Sequence, residues 1–78
     1  MANAAPMQLI DIDARYHHIR PVPRMPNFAA WIEGVDLTRP LSSEVQAELR
    51  QALYDFEVIF FRPQAITAEQ HVALAQVF

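Results

Sequence analysis

The chain has 78 residues, a net charge of −3, 53% hydrophobic and 19% charged residues, and a single Gly. All six cations are Arg and no Cys is present, which excludes disulfide staples, thiolate metal sites and non-specific nucleic-acid binding through a concentrated basic face. At this length one domain is the upper limit, and only about 60–65% of the unfolded chain's surface is buried on folding.

Residues 1–26 read as a leader followed by a Pro-rich loop. The start, MANAAPMQLI, has no basic region and no long apolar run, so it is not a signal peptide. The longest wholly apolar runs, FAAWI and VIFF, are too short to span a bilayer, and a soluble, cytoplasmic protein is expected. MQLIDI (Met7–Ile12) alternates in part and predicts a short strand. In the stretch that follows, Pro21, Pro23 and Pro26 exclude a helix or a central strand and predict an extended loop. FAAWIEG (Phe28–Gly34) predicts a strand ending at the one Gly, a natural site for positive φ.

A helix is expected next. Ser43 and Gln46 fit a capping box. Val45, Leu49, Ala52, Leu53 and Phe56 fall at steps of three and four and form one apolar stripe, with Glu44, Glu48 and Arg50 off it. EVIFFR (Glu57–Arg62) carries no alternation and suits a strand covered on both faces. Thr67 and Gln70 form a second capping box, opening a helix whose apolar side is Val72, Ala75 and Phe78 and which runs on to the last residue. The predicted order is β-β-α-β-α. A doubly covered strand needs partners that two helices and a short ribbon hardly supply, so the completing layer is expected outside this segment.

Local chemistry names no active site. His17 and His18 are adjacent, so they point apart on a strand and rarely share one ion; His71 stands alone, and no H-E-x-x-H or H-x₃-H spacing occurs. Surface and loop histidines are the commoner reading. Asp11 and Asp13, as alternate strand residues, share a face near His17, but no third catalytic member accompanies them. Arg20, Pro23 and Pro26 fit the R-x-x-P-x-x-P spacing of polyproline II ligands, a pattern frequent by chance. Trp31, Ile32, Phe60 and Phe61 fit core packing better than a ligand pocket.

Three blocks carry a family signal. Gly34, Asp36, Leu37, Pro40 and Leu41 match G-[AV]-D-L-[ST]-x-P-L; Arg62, Gln64, Ile66 and Thr67 match [FL]-R-x-Q followed by I-[TS]; Ala75 and Phe78 match A-x-x-F. In order and at these separations they resemble the N-terminal part of the TauD/TfdA family, the taurine dioxygenase-like enzymes dependent on Fe(II) and 2-oxoglutarate. The resemblance covers residues 27–78; Ala29 departs from it, standing where many members have Gly. It implies an α+β segment of a double-stranded β-helix (jelly-roll) oxidoreductase of sulfur metabolism. Its iron would sit in a H-x-[DE]…H facial triad, with an Arg on the cofactor carboxylate. None of those residues matches a position in this chain. The resemblance therefore implies an N-terminal fragment with no catalytic, cofactor or metal residue of its own, inactive alone. The parent would act on a small sulfonate or related anion, in a possible homo-oligomer with no nucleic-acid or membrane partner. The rival expectation is a stand-alone interaction module using the Pro-rich loop or an exposed apolar face.

Overall fold

The computed structural model describes residues 11–25 and 28–78. Their elements are α1 (Ile12–Arg15), β1 (Arg20–Met25), β2 (Phe28–Glu33), α2 (Ser43–Phe56), β3 (Ile59–Phe61) and α3 (Ala68–Ala75). The three strands make one mixed sheet in the order β1-β2-β3: β1 pairs antiparallel with β2, and β2 pairs parallel with β3 after the α2 crossover. The fold is α+β, as the sequence predicts.

The Pro-rich stretch is a strand, which corrects the expectation of a loop. Pro21 and Pro23 sit in β1 opposite Ile32 and Ala30. A strand with one free edge tolerates missing N–H donors, and β1 is an edge strand among the described residues. The predicted strand over Met7–Ile12 lies mostly outside the described residues. Its last position, Ile12, instead opens a one-turn helix capped by Asp11, whose carboxylate accepts from the Ala14 N–H at 3.3 Å. Asp11 and Asp13 thus occupy a helix cap and first turn, not one face of a strand.

The core lies between the sheet and α2. Rows of paired residues alternate across the strands. Pro21–Ile32–Phe61 and Pro23–Ala30–Ile59 flank the row Val22–Trp31–Phe60. Pro21, Ala30 and Ile32 are buried, and Ile59 and Phe61 pack on the same cluster as Leu49, Ala52 and Phe56 of α2. Each fully buried Leu, Ile or Phe contributes about 1.5–3 kcal/mol relative to exposure. The helical stripe is confirmed at Leu49, Ala52 and Phe56, while Leu53 stays 37% exposed. Strand β3 has the expected place, but among the described residues only one of its faces is covered, and Phe60 is 43% exposed.

The starts of α2 and α3 also use side-chain caps. At α2 the cap is Ser42, one residue earlier than predicted: its hydroxyl accepts from the Val45 N–H at 3.1 Å. Gln46 does not reach back to the cap, and its amide donates to the Leu41 carbonyl instead. At α3 the predicted Thr67–Gln70 box is present in full. This helix ends at Ala75, short of the last residue, and Val77 and Phe78 close tighter turns onto Leu74 and Ala75. Its inward side is Leu74 and Val77, and the predicted side, Val72, Ala75 and Phe78, faces out. Apolar residues surround the whole helix, so periodicity alone does not select the buried face.

Among the described residues, three hold positive φ. Gly34 does so at 79°, as its position at the end of β2 predicts. Ala29, at 63°, is the position where the sequence departs from the family pattern. Glu57, at 67°, ends α2 in a γ-turn in which the Val58 N–H donates to the Phe56 carbonyl at 2.7 Å. A single hydrogen bond, Ala30 N–H to the Val58 carbonyl at 3.0 Å, joins the chain just beyond both non-glycine positions.

Candidate functional site

The residues that carry the family signal converge. The loop Val35–Leu41 is fixed from within by Asp36, which accepts from the Thr38 N–H at 2.9 Å and from the Thr38 hydroxyl. These bonds hold the Asp36 carboxyl below its ordinary range. Gln64 fixes the loop from outside: its carbonyl accepts from the Leu37 N–H at 2.8 Å and its amide donates to the Val35 carbonyl at 3.2 Å. Gln70 does the same one turn on, donating to the Thr38 carbonyl at 2.8 Å while its own carbonyl accepts from Thr67. Arg62 forks onto Glu33 at 2.7 and 3.2 Å and lies 4.5 Å over the Trp31 ring. Hydrogen bonds thus join the first two blocks, while in the third the Phe78 N–H donates to the Ala75 carbonyl.

Beside these blocks, a cleft of about 310 Å³ opens between the Leu37–Leu41 loop and α3. Its walls are Leu37, Pro40, Leu41, Leu74 and Val77. Of its polar lining groups, Gln46 is engaged on Leu41, Gln70 on Thr38 and Thr67, and Arg39 lies 3.4 Å from Asp36, while Glu69 stands at the rim on the first turn of α3. It offers an apolar wall and no reacting group.

A second polar cluster was not foreseen from sequence. Glu48, off the apolar stripe of α2, accepts from the backbone N–H groups of His17, His18 and Ile19 at 2.9–3.1 Å and contacts His18 Nδ1 at 2.9 Å. Burial opposes its charge, but the His18 and three backbone hydrogen bonds win, holding the carboxyl down to about 2. Asp55, two turns further along the same face of the helix, accepts from the Tyr16 hydroxyl and Arg15, both at 2.7 Å, and from Gln51 at 2.9 Å. Burial first, and this bond second, push the Tyr16 phenol well up. Both clusters clamp the segment before β1 onto α2. A lone Glu on a helix surface reads as a solvated charge, so no local signal marks Glu48.

The sequence candidates are dispersed. His18 is committed to Glu48; His17 is exposed with only its backbone engaged; His71 is exposed on α3. Among the described residues, no group of three His, Cys, Asp or Glu side chains could hold a metal ion. Arg20 and Pro23 are paired within β1, and Pro26 lies outside the described residues. Trp31 and Phe60 stack on each other, ring centroids 5.3 Å apart, on the sheet face away from α2. No described helix is long and apolar enough to cross a membrane.

The match to the family described as "Taurine catabolism dioxygenase TauD, TfdA family" extends over residues 18–78, and the chain belongs to that family. A taurine dioxygenase from Burkholderia xenovorans is 42% identical with a TM-score of 0.74, over 80% of this chain and 22% of that one. A second protein from the same organism, provisionally assigned as an alpha-ketoglutarate-dependent 2,4-D dioxygenase, is 37% identical with a TM-score of 0.71, over 77% of this chain and 23% of that one. AAD-2, solved with Mn(II) and N-oxalylglycine, is 32% identical with a TM-score of 0.72, over 77% of this chain and 22% of its own. The chain therefore spans under a quarter of the length of these structures.

Proposed function

We propose that this chain is the amino-terminal portion of an Fe(II)- and 2-oxoglutarate-dependent dioxygenase that hydroxylates a small sulfonate or related anion. The observation that carries the reading is the family match over residues 18–78 together with 42% identity to a taurine dioxygenase. When bound, such an iron centre supplies oxidative chemistry, but the described residues do not fit one, since no three candidate ligands lie together. The role of this segment is architectural. Its sheet and α2 form a packed wall, and Gln64 and Gln70 set the path of the Val35–Leu41 loop against α3. On this reading the segment alone is inactive, the iron and cofactor ligands belong to further sequence, and the substrate is chosen there.

The test is the reading frame that contains these codons. The proposal expects a H-x-[DE] pair and a distal His beyond Phe78, and 2-oxoglutarate consumption by the complete product with Fe(II) and a sulfonate such as taurine. A complete product that folds and lacks both would overturn it.

A further inference from the structure

Among the described residues β1 lies at one edge of the sheet, and the backbone donors along that edge are missing or engaged. In an antiparallel pair each residue turns its N–H and C=O to one side of the strand, and successive residues alternate. Ala30 shows which side: its N–H donates to the Val58 carbonyl at 3.0 Å, towards β3 and away from β1. Ile32, two residues on, turns the same way. Their partners in the ladder, Pro23 and Pro21, therefore form the non-hydrogen-bonded pairs and turn their backbone outward. Arg20 and Val22, opposite Glu33 and Trp31, turn inward to β2. Both outward positions in the middle of β1 are thus proline, which has no N–H to present. The next outward residue towards the start of the chain is Ile19, whose N–H donates to Glu48 Oε1 at 3.1 Å. At the other end only Met25, the last residue of the strand, keeps an N–H on that side.

We infer that Pro21, Pro23 and Glu48 close this edge to strand addition, so that no extended segment of a second copy of the chain pairs with β1. A strand laid against the edge would find its carbonyls opposite pyrrolidine rings, each desolvated without a donor. The parity of the prolines is what makes the closure free of cost to the sheet. At positions 20 or 22 a proline would remove a ladder bond to β2, whereas at 21 and 23 it removes none. What the closure guards against lies beside it. The row Val22–Trp31–Phe60 crosses the sheet on the side away from α2, and Phe60 is 43% exposed. An open edge next to an apolar face is a template for edge-to-edge association. Pro23, which fits a polyproline II ligand by spacing, acts here through the donor it lacks. This closure is a property of the edge alone and holds whatever reaction the complete protein performs.

Opening the edge is the test. Pro21→Val with Pro23→Val introduces two outward N–H groups, and Pro23→Val alone, at an exposed position, introduces one without touching the buried Pro21. The chain has no Cys, so Arg24→Cys places a single nitroxide label on β1 of each protein. Sedimentation velocity reads self-association, and the electron paramagnetic resonance line shape reads whether labels from two copies meet. The double variant is expected to associate roughly tenfold or more tightly than the parent, with spin–spin broadening, and the single variant falls between. A synthetic chain with N-methylvaline at positions 21 and 23 keeps the valine side chains, lacks both donors and should behave as the parent does. Val22→Thr, whose N–H turns inward, leaves association unchanged. Circular dichroism checks folding, and if the double variant is unfolded the single variant decides. A chimera in which the chain replaces the matched stretch of the Burkholderia xenovorans taurine dioxygenase repeats the sedimentation comparison. Folded variants as monomeric as the parent, association without broadening, or equal association of the N-methylated chain would each overturn the inference. So would broadening already present in the parent.

Discussion

Gln64 closes two hydrogen bonds across the loop that holds Leu37, accepting from the Leu37 N–H at 2.8 Å and donating to the Val35 carbonyl at 3.2 Å. A single amide, 27 residues away in sequence, thereby satisfies two backbone groups of a segment that has no ladder of its own. Its side chain is part-buried, so neither bond is freely replaced by water. Gln64→Ala is expected to destabilise the chain by about 1–3 kcal/mol. Gln64→Glu, which keeps the acceptor and loses the donor, should fall between. Urea unfolding followed by circular dichroism measures both, and equal stability of all three proteins would contradict the role.

Glu48 makes stability depend on acid. Its carboxyl is lowered from 4.5 in the unfolded chain to about 2 when folded, so its contribution is complete above pH 4.5 and drains away as pH falls towards 2. The amount is on the order of 3 kcal/mol. Glu48→Gln should flatten that portion of the acid limb and lower stability at neutral pH. Unfolding midpoints between pH 2 and pH 6 read the effect directly, and an unchanged acid limb in the variant would contradict it.

Tyr16 behaves oppositely. Burial and the Asp55 carboxylate raise its pKa, so the folded chain resists ionising it and loses stability as pH rises above the ordinary phenol value. In a Tyr54→Phe background Tyr16 is the only tyrosine. Absorbance of tyrosinate should then appear only together with loss of the circular dichroism signal. Tyrosinate formation in a chain that stays folded would sink this.

Two strained backbone positions meet at the Ala30–Val58 hydrogen bond. At Glu57 the side chain is exposed and φ is 67°, so Glu57→Gly should stabilise by about 1 kcal/mol. At Ala29 the same relief is offset by loss of a buried methyl and by the extra freedom of unfolded glycine, leaving Ala29→Gly within about 0.5 kcal/mol of the parent. Ala30→Gly, at a fully buried position with negative φ, has no relief and should cost about 1–2 kcal/mol. Thermal unfolding of the three variants tests the ranking.

These contrasts show where sequence reasoning reaches its end. The α2 stripe was legible because Leu49, Ala52 and Phe56 repeat at helical spacing over a full 14-residue element. The Thr67–Gln70 box was legible because both partners lie within one turn. In contrast, LSSEVQ offers two adjacent serines, and only the backbone's entry angle selects Ser42. Pro21 and Pro23 exclude a central strand but not an edge strand, and nothing local distinguishes an edge from a loop. The inward face of α3 is set by what lies beneath Leu74 and Val77, residues far apart in sequence. Glu48, Gln64 and Arg62 act across 27 to 31 residues, a distance that no periodicity encodes.

The claim that this segment is frame and not reaction centre is tested most directly by calorimetry with Mn(II) and N-oxalylglycine, the pair bound in AAD-2. The 78-residue chain is titrated first. A chimera in which it replaces the matched stretch of the Burkholderia xenovorans taurine dioxygenase is titrated second. The account predicts no saturable heat for the chain and one-to-one binding for the chimera. One-to-one binding by the chain alone, or a folded chimera that binds neither ligand, would contradict it.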